Sequence, residues 1–347
     1  MAKHCGKQSV QLERPPLCIG WAASVGKKEG EGPLGERFDA VYPDDTMGQD
    51  NWEQAESQLF IDAVKRCFEK SGLQADDVNM LLGGDLLNQL AASNFAGRAL
   101  GLPFVGLFGA CSTMAEALAV AAMILEGGSA SRIACAASSH FCTAERQFRS
   151  PLELGNQRAP STQWTVTGAG SVLLASPEKH SEPAPRVTAL TIGKPVDYDI
   201  KDATNMGAAM APAAADTLLR HFEDMHTSPD DYDVIATGDL GMIGSALLKE
   251  LMREAGTPLP DGLHMDCGLQ IFSPEQDVHA GGSGCGCSAS VLCADLLPRL
   301  QRGEIKRLLF MATGALMSTT SANEGESIPS IAHAVVIERA EKPEGRG

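Results

Sequence analysis

The sequence has 347 residues, with 28 basic and 44 acidic side chains and a formal charge of -16. It contains no Lys/Arg block able to neutralise a run of phosphates, which excludes nucleic acid as a partner, and the same acidity argues against adsorption to an anionic bilayer. The length exceeds one simple core and fits two halves of about 150 to 170 residues, while 36 glycines and few aromatics suit closely packed helices and strands.

Met1 to Gln11 is polar and has no apolar h-region, and the longest mostly apolar run, Ala115 to Leu125, carries Glu116 and is too short to span a bilayer. We therefore expect a soluble chain with no secretion signal and no direct membrane insertion. Its ten cysteines are expected to be reduced, most of them as small core residues.

Residues 62–85 predict a helix, a turn with paired acids (Ala75-Asp76-Asp77-Val78) and a short apolar strand closed by Gly84-Asp85-Leu86. A strand over Phe104 to Phe108 then leads into the turn Gly109-Ala110-Cys111-Ser112 and a helix of small residues. Backbone N–H groups and the dipole at such a helix start favour a thiolate or a bound anion; a small residue at a tight turn is the alternative. The helix ends at Glu126-Gly127 and a strand follows over Ile133 to Ala137. The polar segment Glu145 to Pro160, with Arg146, Arg149 and Arg158, reads as a lid, a dimer-facing loop or a solvated face before the Gln163 strand.

The pattern then starts again. Residues 216–239 lie on 62–85 at a constant offset of 154 without a gap, repeating the paired acids (Pro229-Asp230-Asp231-Tyr232) and the closing Gly238-Asp239-Leu240. Further on the offset is 176, which places Cys287-Ser288 on Cys111-Ser112 and Arg302-Gly303 on Glu126-Gly127, ahead of a strand over Leu308 to Thr313. Gly281 to Cys287 reads as a sharp turn at a pocket floor. No Lys-Ser/Thr follows it to hold phosphate, and Cys285 and Cys287 lack further ligands at metal-site spacing, so no metal site is expected there.

A unit of alternating helices and strands, written twice, predicts an α/β fold. We expect parallel pairing, right-handed crossovers and five layers in which helices and sheets alternate. The halves divide as 1–185, which carries Cys111, and 186–347. A small-molecule pocket belongs between them, outside the carboxyl ends of the strands where both Gly-Asp-Leu loops sit.

A cysteine in a Gly109-Ala-Cys111-Ser turn inside a duplicated α/β chain resembles the thiolase and ketoacyl-synthase superfamily, whose fold is a thiolase-like five-layer α-β-α-β-α arrangement of two duplicated halves. From about Gly48 to Glu338 the chain is more closely similar to the stage V sporulation protein AD family of endospore-forming bacteria. The similarity is carried by Gly84-Asp-Leu-Leu-Asn-Gln89, Gly106-Leu-Phe-Gly-Ala-Cys-Ser-Thr113, Gln163-Trp-Thr-Val-Thr-Gly-Ala-Gly170, Asn205-Met-Gly-Ala-Ala-Met-Ala-Pro212, Gly281-Gly-Ser-Gly-Cys-Gly-Cys-Ser-Ala289 and Ile331-Ala-His-Ala334.

Active members of the superfamily need, beside the cysteine, two histidines or a His and an Asn from the second half, as general base and oxyanion donors. The corresponding loops here, Gly238-Asp-Leu-Gly241 and Gly284-Cys-Gly-Cys287, contain neither. An Asp near the cysteine raises the thiol pKa instead of activating it. The resemblance therefore implies a non-catalytic member. The alternative, an active acyl-CoA condensing or thiolytic enzyme with Cys111 as nucleophile, needs His140, His279 or His333 to enter the pocket.

The sporulation family further implies a ligand, dipicolinic acid, a pyridine ring flanked by two carboxylates. The candidate binding residues are Asp85, Asn88, Cys111, His140, Gln163, Trp164, Asn205 and Asp239. Asp85 and Asp239 accept hydrogen bonds, share a calcium ion with the ligand, or cap nearby backbone N–H groups. No other cofactor is expected. The resemblance also implies support for uptake of the ligand into the developing spore, a link to germination, and membrane proteins of the same stage V sporulation A operon as partners. It implies a homodimer that is cytoplasmic in the forespore and associated peripherally with the spore inner membrane through those partners.

Overall fold

The structure, a computed structural model, describes residues 2–148 and 158–339. Each half builds one five-stranded mixed sheet. The first contains β1 (Leu17–Gly26), β2 (Met80–Gly84), β3 (Phe104–Gly106), β4 (Arg132–Ser139) and β5 (Gly168–Ala175), in the spatial order β1-β5-β4-β2-β3. The second contains β6 (Arg186–Thr191), β7 (Val234–Thr237), β8 (His264–Asp266), β9 (Arg307–Ala315) and β10 (Ser330–Glu338), in the equivalent order β6-β10-β9-β7-β8. The sheets touch edge to edge at Leu17 and Arg186, and the short strand Ser9–Gln11 pairs with β6 beside that joint.

Among these ten strands the expected parallel pairing holds for the outer three of each sheet, β4-β2-β3 and β9-β7-β8, and the short strand Ala40–Tyr42 also pairs parallel with the end of β1. β5 and β10 run antiparallel to both their neighbours. In the first half the reason is the path of the chain, which re-enters the sheet at the end where β4 leaves it, so Ser139 faces Gly168. Apolar runs of this length carry no signal of direction.

The repeat extends further than the sequence pattern showed. Helices α1 (Trp52–Ser71) and α5 (Met206–Met225) start and stop at the same offset of 154. Asn51 and Asn205 cap them by accepting from Gln54 N and Ala208 N. Both end in a left-handed residue, Gly72 at φ 69° and His226 at φ 52°. The paired acids that follow form matching one-turn helices, Ala75–Asp77 and Pro229–Asp231, each closed by a capping box.

Five layers result. α1 and α2 (Ala91–Leu100) cover the outside of the first sheet, and α5 and α6 (Gly241–Glu254) cover the outside of the second. Between the sheets lie α3 (Thr113–Glu126) and α7 (Cys285–Val291), the latter continued through a π-turn, Leu292–Leu296. A helix packed between two sheets must be largely apolar, and α3 meets this with Met114, Ala117, Leu118, Ala121 and Leu125 in one core with β4, β9 and β10. Close approach sets α7: a Cβ on Gly170 of β5 would collide with the Ala289 carbonyl, and one on Gly286 with that of Gly168. This middle layer carries both cysteine turns to the junction of the halves.

Candidate functional site

The strand β3 ends at Gly106, and the chain reverses through Gly109-Ala110-Cys111 before α3 begins. Ala110 is held at φ 51°, a left-handed conformation that costs a residue with a Cβ. Three hydrogen bonds sustain it: Ser112 Oγ to Gly109 O at 2.6 Å, Thr113 Oγ1 to Ala110 O at 2.7 Å, and Gly109 N to Thr113 Oγ1 at 3.2 Å. Cys111 therefore sits on a strained turn just ahead of the helix, not on its first residue. The repeat-equivalent Cys287 is a core residue of α7, its thiol directed at Gly238 O, and Cys285 donates to Ser138 O at 2.8 Å. No cluster of metal ligands exists among the described residues.

Across the junction Asp239 meets this cysteine. Its carboxylate is fully buried, accepts from Gly284 N at 2.9 Å and from Thr313 Oγ1 at 3.1 Å, and lines the same cavity as Cys111. Burial raises its pKa to about 7, against the pull of the Cys111 thiol and the Gly284 N–H. Burial, then the charge of Asp239, push the Cys111 thiol well above the usual range, and only the Gly284 N–H opposes them. Burial and the Asp239 charge, not the helix dipole that the sequence pattern suggested, set the direction of the shift.

Asp85, the repeat partner of Asp239, has a different task. Its oxygens accept from Leu87 N at 2.8 Å, Ser93 N at 2.7 Å and Ser93 Oγ at 2.6 Å, which ties its own loop to α2. In the second half that task falls to Asp266, which accepts from Leu240 N at 2.8 Å, Gly241 N at 3.0 Å and Thr237 Oγ1 at 2.7 Å. Asp239 is thereby free to face the cysteine.

Cys111, Gln163 and Asp239 line one cavity of about 310 Å³, walled by Phe108 and Phe148 from the first half and Met206, Met210 and Met317 from the second. Asn205 caps α5 between two lining residues, Thr204 and Met206. The structure does not bring the other four candidates there. Asp85 is a buried loop anchor. Asn88 lies on an exposed turn and accepts from Gln147 Nε2 at 3.2 Å. His140 and Trp164 line a separate hollow of about 490 Å³. His140 donates from Nε2 to Asp45 O at 2.8 Å and accepts Cys142 N–H at Nδ1, and burial lowers its pKa. Trp164 stacks on Phe141 at 4.0 Å, with Lys28 Nζ 4.2 Å from its ring centre.

His279 and His333 do not reach Cys111 either: the first bonds Ala159 O, and the second accepts from Gly193 N. Arg146 pairs with Glu53, Arg158 donates to Gln163 O at 2.6 Å, and Arg149 lies outside the described residues. Three acids went unread in the sequence. Asp266 gave no local signal. Glu145 lines the cavity from α4 (Phe141–Phe148). Glu56 was legible as an acid inside the apolar face Ala55, Leu59, Phe60, Ala63 of α1; it accepts from Thr143 Oγ1 at 2.6 Å, and burial together with Asp85 raises its pKa to about 8.

Alkylation follows the thiolate, so iodoacetamide should label Cys111 at pH 8.5 at least about tenfold more slowly than a free thiol of ordinary pKa. Asp239→Asn removes the opposing charge and should move the rise of labelling with pH to lower values. Native-protein labelling that levels off below pH 8, or an unchanged profile in the variant, would contradict this electrostatic account.

The family described as stage V sporulation protein AD matches residues 6–338. The stage V sporulation protein AD of Bacillus subtilis (strain 168) is 46% identical over 338 residues, covering 97% of this chain and 98% of its own length. Among solved structures, 3-oxoacyl-[acyl-carrier-protein] synthase III from Aquifex aeolicus VF5 superposes with a TM-score of 0.55 at 12% identity, covering 93% of this chain and 99% of that one. A histidine-to-asparagine variant of Xanthomonas campestris OleA with cerulenin gives a TM-score of 0.61 at 13% identity, covering 94% and 97%. At such identities these enzymes show the fold, a thiolase-like one of five layers. The chain belongs to the stage V sporulation protein AD family.

Proposed function

We propose that this chain is a non-catalytic binding protein of endospore formation that holds dipicolinic acid in the cavity between its halves. The observation that carries the reading is that Cys111 lines the cavity together with the buried Asp239 carboxylate, whose charge raises the thiol pKa. Acyl transfer needs a thiolate and donors for an oxyanion, but here the cysteine faces a carboxyl group, and no His, Lys or Arg lines the cavity among the described residues. What remains is a partly open cavity with apolar walls and a polar floor, suited to a flat aromatic acid. The retained turn at Ala110 favours the competing reading, a condensing enzyme using Cys111.

A dianion beside Asp239 needs compensation. Below its pKa of about 7 the Asp239 carboxyl donates a proton to a ligand carboxylate; above it, the carboxylate shares a calcium ion with the ligand. Cys111 and Asp266 are the titratable neighbours that act on this group, and Asp239 in turn raises the pKa of Cys111, Cys285 and Cys287. Calorimetry should therefore show affinity for free dipicolinate falling as pH rises through 7, and calcium restoring it at pH 8. Cys111→Leu should abolish binding, and Asp239→Ala at pH 6 should weaken it by about 1 to 3 kcal/mol. Asp85→Ala should lower stability and leave the affinity of the folded fraction intact. Parental binding by folded Cys111→Leu and Asp239→Ala would place the ligand elsewhere.

The same reading has the protein deliver its ligand for uptake into the developing spore. It would act in the forespore at the inner membrane, through membrane proteins of the same operon; no helix among the described residues is long and apolar enough to cross a membrane itself. It also has two copies pair along β3, an edge strand with Val105 exposed and Phe95 and Phe108 exposed nearby. Light scattering at micromolar concentration should report twice the mass of one chain, and a monomer would remove the pairing from the account.

A further inference from the structure

Glu56 lies inside the apolar face of α1 and has no exposed surface. Two hydroxyls from other elements meet its carboxyl group: Ser138 Oγ, at the end of β4, lies 3.2 Å from Oε1, and Thr143 Oγ1, in the first turn of α4, lies 2.6 Å from Oε2. The Thr143 hydroxyl also lies 2.9 Å from the main-chain oxygen of His140, which accepts from Ala144 N at 3.1 Å and so opens the helix. A hydroxyl carries one proton and cannot donate to both oxygens. As a carboxylate, Glu56 takes that proton and His140 O loses it. As a neutral acid, Glu56 donates from Oε2 to Thr143 Oγ1, Thr143 donates to His140 O, and both short contacts are hydrogen bonds.

The surroundings keep the proton on Glu56. Asp85, the other buried acid here, accepts from the main-chain N–H groups of Leu87 and Ser93, and these donors cannot be reversed. The hydroxyl partners of Glu56 can. The charges acting on Glu56 are acidic, Asp85 first and then Glu53 of the same helix, and together with burial they raise its pKa from 4.5 to about 8. From α4, Arg146 pairs with Glu53, Glu145 lies 3.8 Å from Arg158, and His140 uses both ring nitrogens on Asp45 O and Cys142 N. From α7, the Cys285 thiol donates to Ser138 O.

We propose that Glu56 is a positioning residue for the cavity: as a neutral acid it donates to Thr143, and this one proton seats α4, whose Ala144, Glu145 and Phe148 form part of the cavity wall. The seat holds whatever ligand the cavity takes. Loss of the proton withdraws a donor from His140 O and leaves two carboxylates facing each other in a buried space. An opening of α4 that lets water reach Glu56 returns its pKa toward 4.5, so opening becomes easier as pH rises from 4.5 to about 8 and levels off above that.

Hydrogen exchange on the ligand-free, full-length protein tests this. Protection of the α4 amides from Ala144 to Phe148, taken relative to the intrinsic rate at each pH, should fall at least about tenfold between pH 5.5 and pH 7.5. Glu56→Gln, whose NH₂ group donates to Thr143 at every pH, should keep at pH 7.5 the protection it has at pH 5.5. Thr143→Val breaks the relay and should lose about tenfold in α4 protection already at pH 5.5. Native protection that is equal at the two pH values overturns the proposal. So does a Glu56→Gln variant, folded by circular dichroism, that keeps the native fall or leaves α4 unprotected throughout, and so does a Thr143→Val variant protected like the native protein at pH 5.5. Should Glu56→Gln fail to fold, the native profile and Thr143→Val still decide.

Discussion

Cys111 and Asp239 come from opposite halves and line one cavity, where burial and the Asp239 charge hold the thiol protonated. The carboxylate raises the cost of ionising the thiol, while the protonated thiol eases ionisation of the carboxyl group. The contact depends on the architecture: the middle layer brings the Ala110 turn to the junction, and the Thr313 hydroxyl and Gly284 N–H hold the carboxylate against it. Around it the cavity draws its walls from both halves, so neither half alone could form the site.

Duplication explains how such a pair arises from two similar units. Asp85 and Asp239 occupy the same place in their repeats and began as the same residue type in the same loop. In the first half the carboxylate is consumed by Leu87 and Ser93; in the second, Asp266 takes the N–H of Gly241, the repeat equivalent of Leu87, together with that of Leu240. The Asp239 carboxyl keeps fewer donors than its geometry allows and turns toward the neighbouring half. Both loops keep the backbone hydrogen bonding a buried turn requires, and only one presents a functional group to the cavity.

The duplicated α/β organisation was legible because helix and strand periods, the paired acids and the Gly-Asp-Leu closures recur at one offset. Chain direction was not: β5 and β10 are apolar runs whose composition suits parallel and antiparallel pairing alike, and the path through residues outside both strands decides it. The candidate site separated for a simpler reason. Gln163, Trp164 and Thr165 are consecutive, but an extended chain sends neighbours to opposite faces, so Gln163 and Thr165 line the Cys111 cavity while Trp164 lines the hollow with His140. Asp85 and Asp239 looked interchangeable because the residue that distinguishes them, Asp266, lies in a three-residue strand with no motif of its own.

In the function proposed above, a cysteine beside a carboxyl group, with no His, Lys or Arg lining the cavity among the described residues, does not carry acyl groups. The direct measurement is the intact mass of the native protein after incubation with acetyl-CoA and with malonyl-CoA, together with the release of free CoA. The expected result is an unchanged mass and CoA release at background. A stable acyl adduct mapped to Cys111, or turnover above background, would contradict the account and return the protein to the condensing enzymes whose fold it shares.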